Sequence, residues 1–249
     1  MKKKIVFTLM VFLAVLMATS AAQAQAIPKV SIEVGDAETP GDLSVTLQII
    51  LLMTVLTVAP SIILMITSFI RLVVVLGFLR QAMGTQQLPP NQLLLSLALI
   101  LTFFIISPMV NQAYNEGLKP YLAEEISKEE AFDKGITPFK EFMLSQTREK
   151  DLALFVNISG MEQPESPDDI PLHVLIPGFV LSELRTGFQI AFLVFVPFLI
   201  IDMVVASVLM SMGMMMLPPM IVALPFKILL FVLVDGWYLL VKSLVESFH

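Results

Sequence analysis

Three ionisable side chains, Asp202, Lys227 and Asp235, stand inside strongly apolar stretches near the end of the chain. An ionisable group at the centre of a bilayer costs at least ~2.5–3.5 kcal/mol on insertion scales, so each needs a partner or a purpose. Residues 211–219 read as the turn of a helical hairpin, which puts Asp202 nine residues before the turn and Lys227 eight after it. At 1.5 Å of rise per residue both lie roughly 12–14 Å along their helices, level with each other. That register points to a buried Asp202–Lys227 ion pair, within one hairpin or between neighbouring copies, and it suits a structural pair and a proton-linked role equally. Asp235 lies beside Trp237 and Tyr238, residues of the kind that anchor a helix at a membrane surface, and reads as structural.

The turn itself is Met210-Ser211-Met212-Gly213-Met214-Met215-Met216-Leu217-Pro218-Pro219-Met220, and with Met203 it gathers seven of the chain's 16 methionines into 18 residues. Methionine is unbranched and polarisable, so it fills irregular gaps and yields when something passes. Gly213 and the Pro218-Pro219 pair keep the run from being a regular helix. Three uses fit a deformable apolar loop: ordinary packing at a hairpin tip, a thioether site for Cu(I), or a compliant seal in a pore built from several copies. In the last case Met210, Met212, Met214, Met215 and Met216 form the seal.

Catalytic apparatus is not visible. Neither Asp202 nor Asp235 follows a Gly-x-Gly, and no His-Glu-x-x-His, Gly-x-Ser-x-Gly or phosphate-binding glycine loop occurs, so no enzyme activity and no catalytic residue is expected. With no Cys and only His173 and His249, neither a thiolate site nor a histidine cage can form within one chain, and no metal or cofactor is expected. No basic patch with interleaved aromatics points to nucleic acid.

The elements that must carry these residues follow from composition. Of 249 residues 57% are hydrophobic and 14% charged, against roughly 25% charged in an average soluble domain; the mean hydropathy is +0.86. Lys2, Lys3 and Lys4 precede an apolar run of 14 residues, Ile5 to Ala18, and then small residues including Ala22-Gln23-Ala24 and Ala24-Gln25-Ala26. This is the pattern of a signal peptide over 1–24, cleaved after Ala24 or Ala26; the run is shorter than the ~20 residues a membrane helix needs. Its removal leaves a formal charge of −9. An exported tail, 25–42, carries Pro28, Gly35, Pro40 and Gly41 and has no core of its own.

Apolar stretches follow at about 43–70, 92–110, 187–210 and 220–241, predicting an all-α, integral membrane-type protein of helical hairpins. The first hairpin is 43–110, the second 186–249, and between them the polar region 111–185 holds 14 acidic and seven basic residues. Arg71 and Arg80, the only charges between the first two stretches, place that loop in the cytoplasm and the polar region in the periplasm. Within the polar region, Leu118, Leu122 and Ile126 fall at helical spacing, and Thr137-Pro138 reads as the start of a second amphipathic helix carrying Phe139, Phe142 and Met143. Asn157 to Pro171 reads as an irregular connection. The acidic residues read as a solvated face or as a partner-docking surface.

Longer motifs add a resemblance. Pro177-Gly178-Phe179-Val180-Leu181-Ser182-Glu183-Leu184-Arg185-Thr186-Gly187-Phe188-Gln189-Ile190 resembles the first signature of the FliP family of flagellar export-gate proteins, with Gly178 where the family more usually has Ala. Pro197-Phe198-Leu199-Ile200-Ile201-Asp202-Met203, with Ala206-Ser207 and Met212-Gly213-Met214-Met215-Met216, resembles the second. Phe78 to Gln87, Pro89 to Gln92, Leu224-Pro225-Phe226-Lys227 and Val234-Asp235-Gly236-Trp237 extend the likeness, which covers nearly everything from residue 43 onward. The resemblance implies a core subunit of the type III export apparatus in the bacterial inner membrane, at the flagellar basal body. It implies several copies, five in the family's usual assembly, forming a ring-like gate with the FliQ and FliR proteins, in contact with FlhB, through which unfolded flagellar proteins pass. It further implies that Met214, Met215 and Met216 belong to a methionine gasket and that Asp202 and Lys227 are functionally sensitive. In such an assembly apolar helices are buried against other subunits more than against lipid, which would carry the methionine loop from a cytoplasmic turn into the channel. A polytopic solute or copper transporter is the alternative.

Overall fold

The computed structural model describes residues 40–85, 88–161, 164, 166–214 and 216–248. The expected signal segment 1–24, residues 25–39 of the expected tail, Met215 and His249 lie outside the described residues. The chain divides at Leu52 into two units. Of the first, only the beginning of helix α1 (Pro40–Met65) is described. The second unit completes α1 and continues with α2 (Phe69–Met83), α3 (Asn91–Ala113), a π turn (Tyr114–Leu118), α4 (Lys119–Leu122), α5 (Lys128–Gln146), α6 (Glu149–Ser159), a 3-10 turn (Pro167–Asp169), α7 (Leu172–Ser211), α8 (Pro219–Leu233) and α9 (Gly236–Glu246). Among the described residues no strand occurs, so the protein is all-α.

The core of the second unit forms around the crossing of α2 and α7. On α2, Leu72, Val75, Leu76, Leu79, Ala82 and Met83 make one buried stripe at spacings of three and four, as a 3.6-residue period requires. On α7 the matching stripe runs Val174, Leu175, Gly178, Phe179, Ser182, Glu183, Gly187 and Ala191. Gly187 is what lets the two helices approach, because a Cβ there would lie 3.3 Å from Val74 Cγ1 and 3.5 Å from Arg71 Cα. Leu94, Ala98, Leu101 and Ile105 of α3 close one side, and α5 and α6 close another through Phe142, Met143 and Val156. Phe142 meets the Phe179 ring edge-on, 5.9 Å between centroids. A buried Leu or Phe contributes roughly 1.5–3 kcal/mol, so this interleaved stripe pair is the main source of cohesion.

Past Ala191 the packing of α7 thins to Phe198, which meets the Phe231 ring at 6.3 Å between centroids, and Leu209. Beyond Ala191 the helix exposes Phe192, Leu193, Ile200, Met203, Val204 and Val208. Three helices among the described residues are long and apolar enough to cross a membrane, over Leu47–Met65, Asn91–Leu122 and Leu172–Ser211. A fourth span results if α8 and α9, bent by 63° at their junction, count as one.

Several boundaries differ from expectation. The third apolar helix starts at Leu172, not near 187, because its first four turns bury an apolar stripe against α2 and α6 even though Glu183 and Arg185 make the local composition polar. The second amphipathic helix starts at Ser127, whose hydroxyl accepts from Glu130 N at 3.2 Å, and not at Thr137-Pro138. Ser127 is the N-cap of α5, and Pro138 sits within α5, where Thr137 instead bonds back to the Asp133 carbonyl at 2.7 Å. Leu118 and Leu122 fall in the π turn and α4, and Ile126 lies beyond them, in place of one continuous helix.

Candidate functional site

Asp202 sits in the last third of α7, and Lys227 in the third turn of α8, which opens with Pro219 at its first position after Pro218. Lys227 Nζ donates to Asp202 Oδ2 at 2.5 Å and to the Ala82 carbonyl at 3.0 Å. Ala82 belongs to the last turn of α2, which ends at Gly84 with φ +76°. Carbonyls of a last helical turn lack partners within their own helix, and the negative end of the helix dipole favours a cation there. Lys227 thus joins the end of α2 to α7 and α8 while only 3% exposed. Asp202 is a third exposed, and its Oδ1 has no hydrogen-bond partner among the described residues. Chemically, the cluster is a neutralised charge pair that leaves one buried carboxylate oxygen without a partner among the described residues.

The methionine run forms the tip between α7 and α8. Gly213 takes φ +75°, and the Gly213 and Met214 amides bond back to the Met210 and Leu209 carbonyls at 3.0 Å each. This pair of bonds is a Schellman ending, which needs a residue that tolerates the left-handed region. Met210, Met212 and Met214 are exposed, and Met216 is 98% exposed. An apolar cleft of about 450 Å³ runs back between α7 and α8, lined by Ile200, Val204, Leu209, Val222 and Phe226 among others. Val204 and Val208 of this cleft are exposed, as are Met212 and Met214 at the tip.

Asp235 occupies the junction of α8 and α9 with φ +51°, exposed, its carbonyl accepting from Leu239 N at 3.1 Å. The fourth apolar stretch is therefore broken at this residue, and Trp237 turns its ring edge-on to Phe231 at 5.4 Å.

A second charge cluster escaped the sequence reading. Arg71, expected in a cytoplasmic loop, lies in α2 and is 2% exposed; Glu183 of α7 is fully buried. The guanidinium grips Glu183 with two bonds, Nε to Oε2 at 3.0 Å and Nη2 to Oε1. It also donates to the Ser247 carbonyl at 2.8 Å, to Ser247 Oγ at 2.9 Å and to Gln146 Oε1 at 3.0 Å, and stacks over the Phe248 ring at 3.8 Å. One arginine therefore ties together α2, α5, α7 and the residues after α9. The available signal was an arginine followed by an unbroken apolar run, Leu72 to Leu76, and a lone Glu183 on the apolar face of α7.

The sequence pattern that describes the FliP family matches residues 52–244. The chain belongs to the FliP family. It is 58% identical over 209 residues to the flagellar biosynthetic protein FliP of Bacillus subtilis (strain 168), an overlap of 84% of this chain and 95% of that protein. The corresponding protein of Caulobacter vibrioides is 56% identical over 202 residues, 81% of this chain and 76% of its own. That of Aquifex aeolicus is 48% identical over 225 residues, 90% and 92% respectively. Asp202, Lys227, the methionine tip, Arg71 and Glu183 all fall inside the stretch matched to the FliP family, whereas Ser247 and Phe248 lie just beyond it.

Proposed function

We propose that this chain serves flagellar biosynthesis as a core subunit of a type III protein export gate in the bacterial inner membrane, at the flagellar basal body. Several copies, five on the family resemblance, ring a conduit together with the FliQ and FliR proteins and in contact with FlhB, and unfolded flagellar proteins pass through it. Family membership supports the flagellar role. The observation that carries the mechanism is the methionine tip, with Met216 98% exposed at the end of two helices whose adjoining faces are also bare. Exposed thioethers contributed by repeated subunits make a ring that is apolar and compliant at once. A conduit for many unfolded sequences has to stay closed to ions without recognising any one sequence, and soft apolar rings meet that demand better than fixed hydrogen bonds. In this reading Met210, Met212, Met214, Met215 and Met216 are the seal. The Asp202–Lys227 pair holds the two helices behind the seal in register.

The test is conductance. Replacing Met214, Met215 and Met216 by Ala is expected to raise ion leakage across membranes carrying the gate while the subunits still co-purify. Unchanged conductance with an intact assembly removes the seal. Tight Cu(I) binding by the purified chain, lost in the same variant, would favour the transporter reading instead.

A further inference from the structure

Two exposed faces of the second unit carry opposite charge and uncovered apolar side chains. The first lies on α7, where Arg185, Phe188, Gln189, Phe192 and Leu193 surround an open hollow. Spacings of three, four, seven and eight put these residues on one helix face. Arg148, just before α6, is brought to that face from the side. Its backbone N–H donates to Ser182 Oγ at 3.0 Å and its Nη2 donates to Gln189 Oε1 at 2.8 Å. The nearby carboxylates do not neutralise it, because buried Asp151 is engaged by Ser182 at 2.8 Å and Glu149 lines a different hollow with Leu152 and Met161. Arg185 is exposed and has no ion-pair partner among the described residues. In a region of net charge −7, residues 111–185, this is a basic spot bordered by the exposed Phe192 and by Phe188, half exposed and edge-on to Phe78 at 5.4 Å between centroids.

The second face is acidic and concave. The π turn, the end of α3 and α5 enclose an open apolar cleft of about 500 Å³ lined by Tyr114, Leu118, Phe132, Ile136 and Phe139 among others. In the short segment that joins α4 to α5, Glu124 and Glu125 are exposed, and neither is in an ion pair among the described residues. Glu124 is held at φ +58°, a conformation few non-glycine residues adopt. A π turn and a left-handed Glu a few residues apart are the kind of local irregularity that gathers at working surfaces.

A ring of identical subunits needs two different patches per subunit that fit each other, since a head-to-tail contact is what propagates around a closed circle. We infer that neighbouring copies of this chain meet head to tail, the Arg148–Arg185 spot of one against Glu124 and Glu125 of the next, with Phe188 and Phe192 entering the neighbour's apolar cleft. The inference rests on the gate reading above and specifies its subunit contact. Like charges juxtaposed across an interface are strongly disfavoured, so the charges set the order of faces while the rings supply the buried area.

The absence of Cys makes the test clean. Full-length chain carrying both Phe188→Cys and Leu122→Cys, expressed with the other gate proteins in cells lacking the native subunit, is oxidised and resolved by size. A ladder of dimers and higher multiples is expected, and neither single variant should give one. Adding Arg185→Glu should reduce the ladder by about tenfold or more, and Glu125→Arg on top of it should restore most of the loss. Cross-linking by a single-cysteine variant, which signals a two-fold contact, overturns the inference, as does a ladder indifferent to charge reversal or capture of a different protein at both positions. Secretion of flagellar proteins is followed in the same cells. A failed ladder with normal secretion removes this contact and leaves the gate reading, whereas a ladder in cells that secrete equally well without the chain removes the gate reading alone.

Discussion

Replacing Arg71 by methionine keeps the apolar stem of the side chain and deletes its charged, hydrogen-bonding end. The loss is concentrated because nothing can compensate. Glu183, fully buried, is left with an unpaired carboxylate; the Ser247 carbonyl and Gln146 Oε1 lose their donor, and the Phe248 ring loses the plane stacked at 3.8 Å. Breaking a buried pair from one side costs about 3–5 kcal/mol, most of it from the stranded charge. For a chain of this size each kcal/mol moves the midpoint by about 2–4 °C, so a fall of about 10 °C is expected. The assay is thermal unfolding of the detergent-purified chain followed by fluorescence of Trp237, the single tryptophan. The decisive comparison is the double variant Arg71→Met/Glu183→Leu. Removing both charges removes the stranded carboxylate, so the double variant should be more stable than Arg71→Met alone. A double variant that is less stable, by the sum of the two single losses, would refute the reasoning, since it would show that the charges do not act on each other.

Lys227→Glu should abolish flagellar assembly, scored by swarming, and Asp202→Lys should restore it only in part, because the exchanged carboxylate would then face the Ala82 carbonyl that Lys227 contacts at 3.0 Å; complete absence of rescue counts against direct pairing in function. Ser127→Ala should cost about 1 kcal/mol by removing the cap of α5, read as a small drop in midpoint; no change would mean that α5 is held by packing alone. Gly187→Val should be far more damaging than Gly135→Ala, because a Cβ at 187 meets Val74 at 3.3 Å while one at 135 meets nothing within 4 Å; equal yields of folded protein would disprove the close crossing of α2 and α7.

Local periodicity and helix-breaking residues made much of the architecture legible before any coordinates. The all-α fold and the break across Gly213 and Pro218 depend only on near neighbours in sequence. What depended on distant neighbours was not legible. Arg71 and Glu183 are 112 residues apart, and each looked like an isolated charge, so the rule that basic residues mark cytoplasmic loops was applied to an arginine that belongs in a core. Thr137-Pro138 has the composition of a helix start, but Ser127 supplies a stronger cap ten residues earlier and α5 runs through the proline. The Ala82 carbonyl was equally hidden as a partner of Lys227, since a backbone acceptor at a helix end leaves no trace in residue type.

The long helix α7 is one rod with two surroundings. Its first half is packed inside its own chain, and its second half, between Phe192 and Met210, buries only Phe198 and Leu209. On the gate reading, copies made in excess lack the companions that would cover this face, and quality-control proteases that read bare apolar helix would clear them. Abundance would then follow assembly, so that supply of one member disciplines the stoichiometry of the rest.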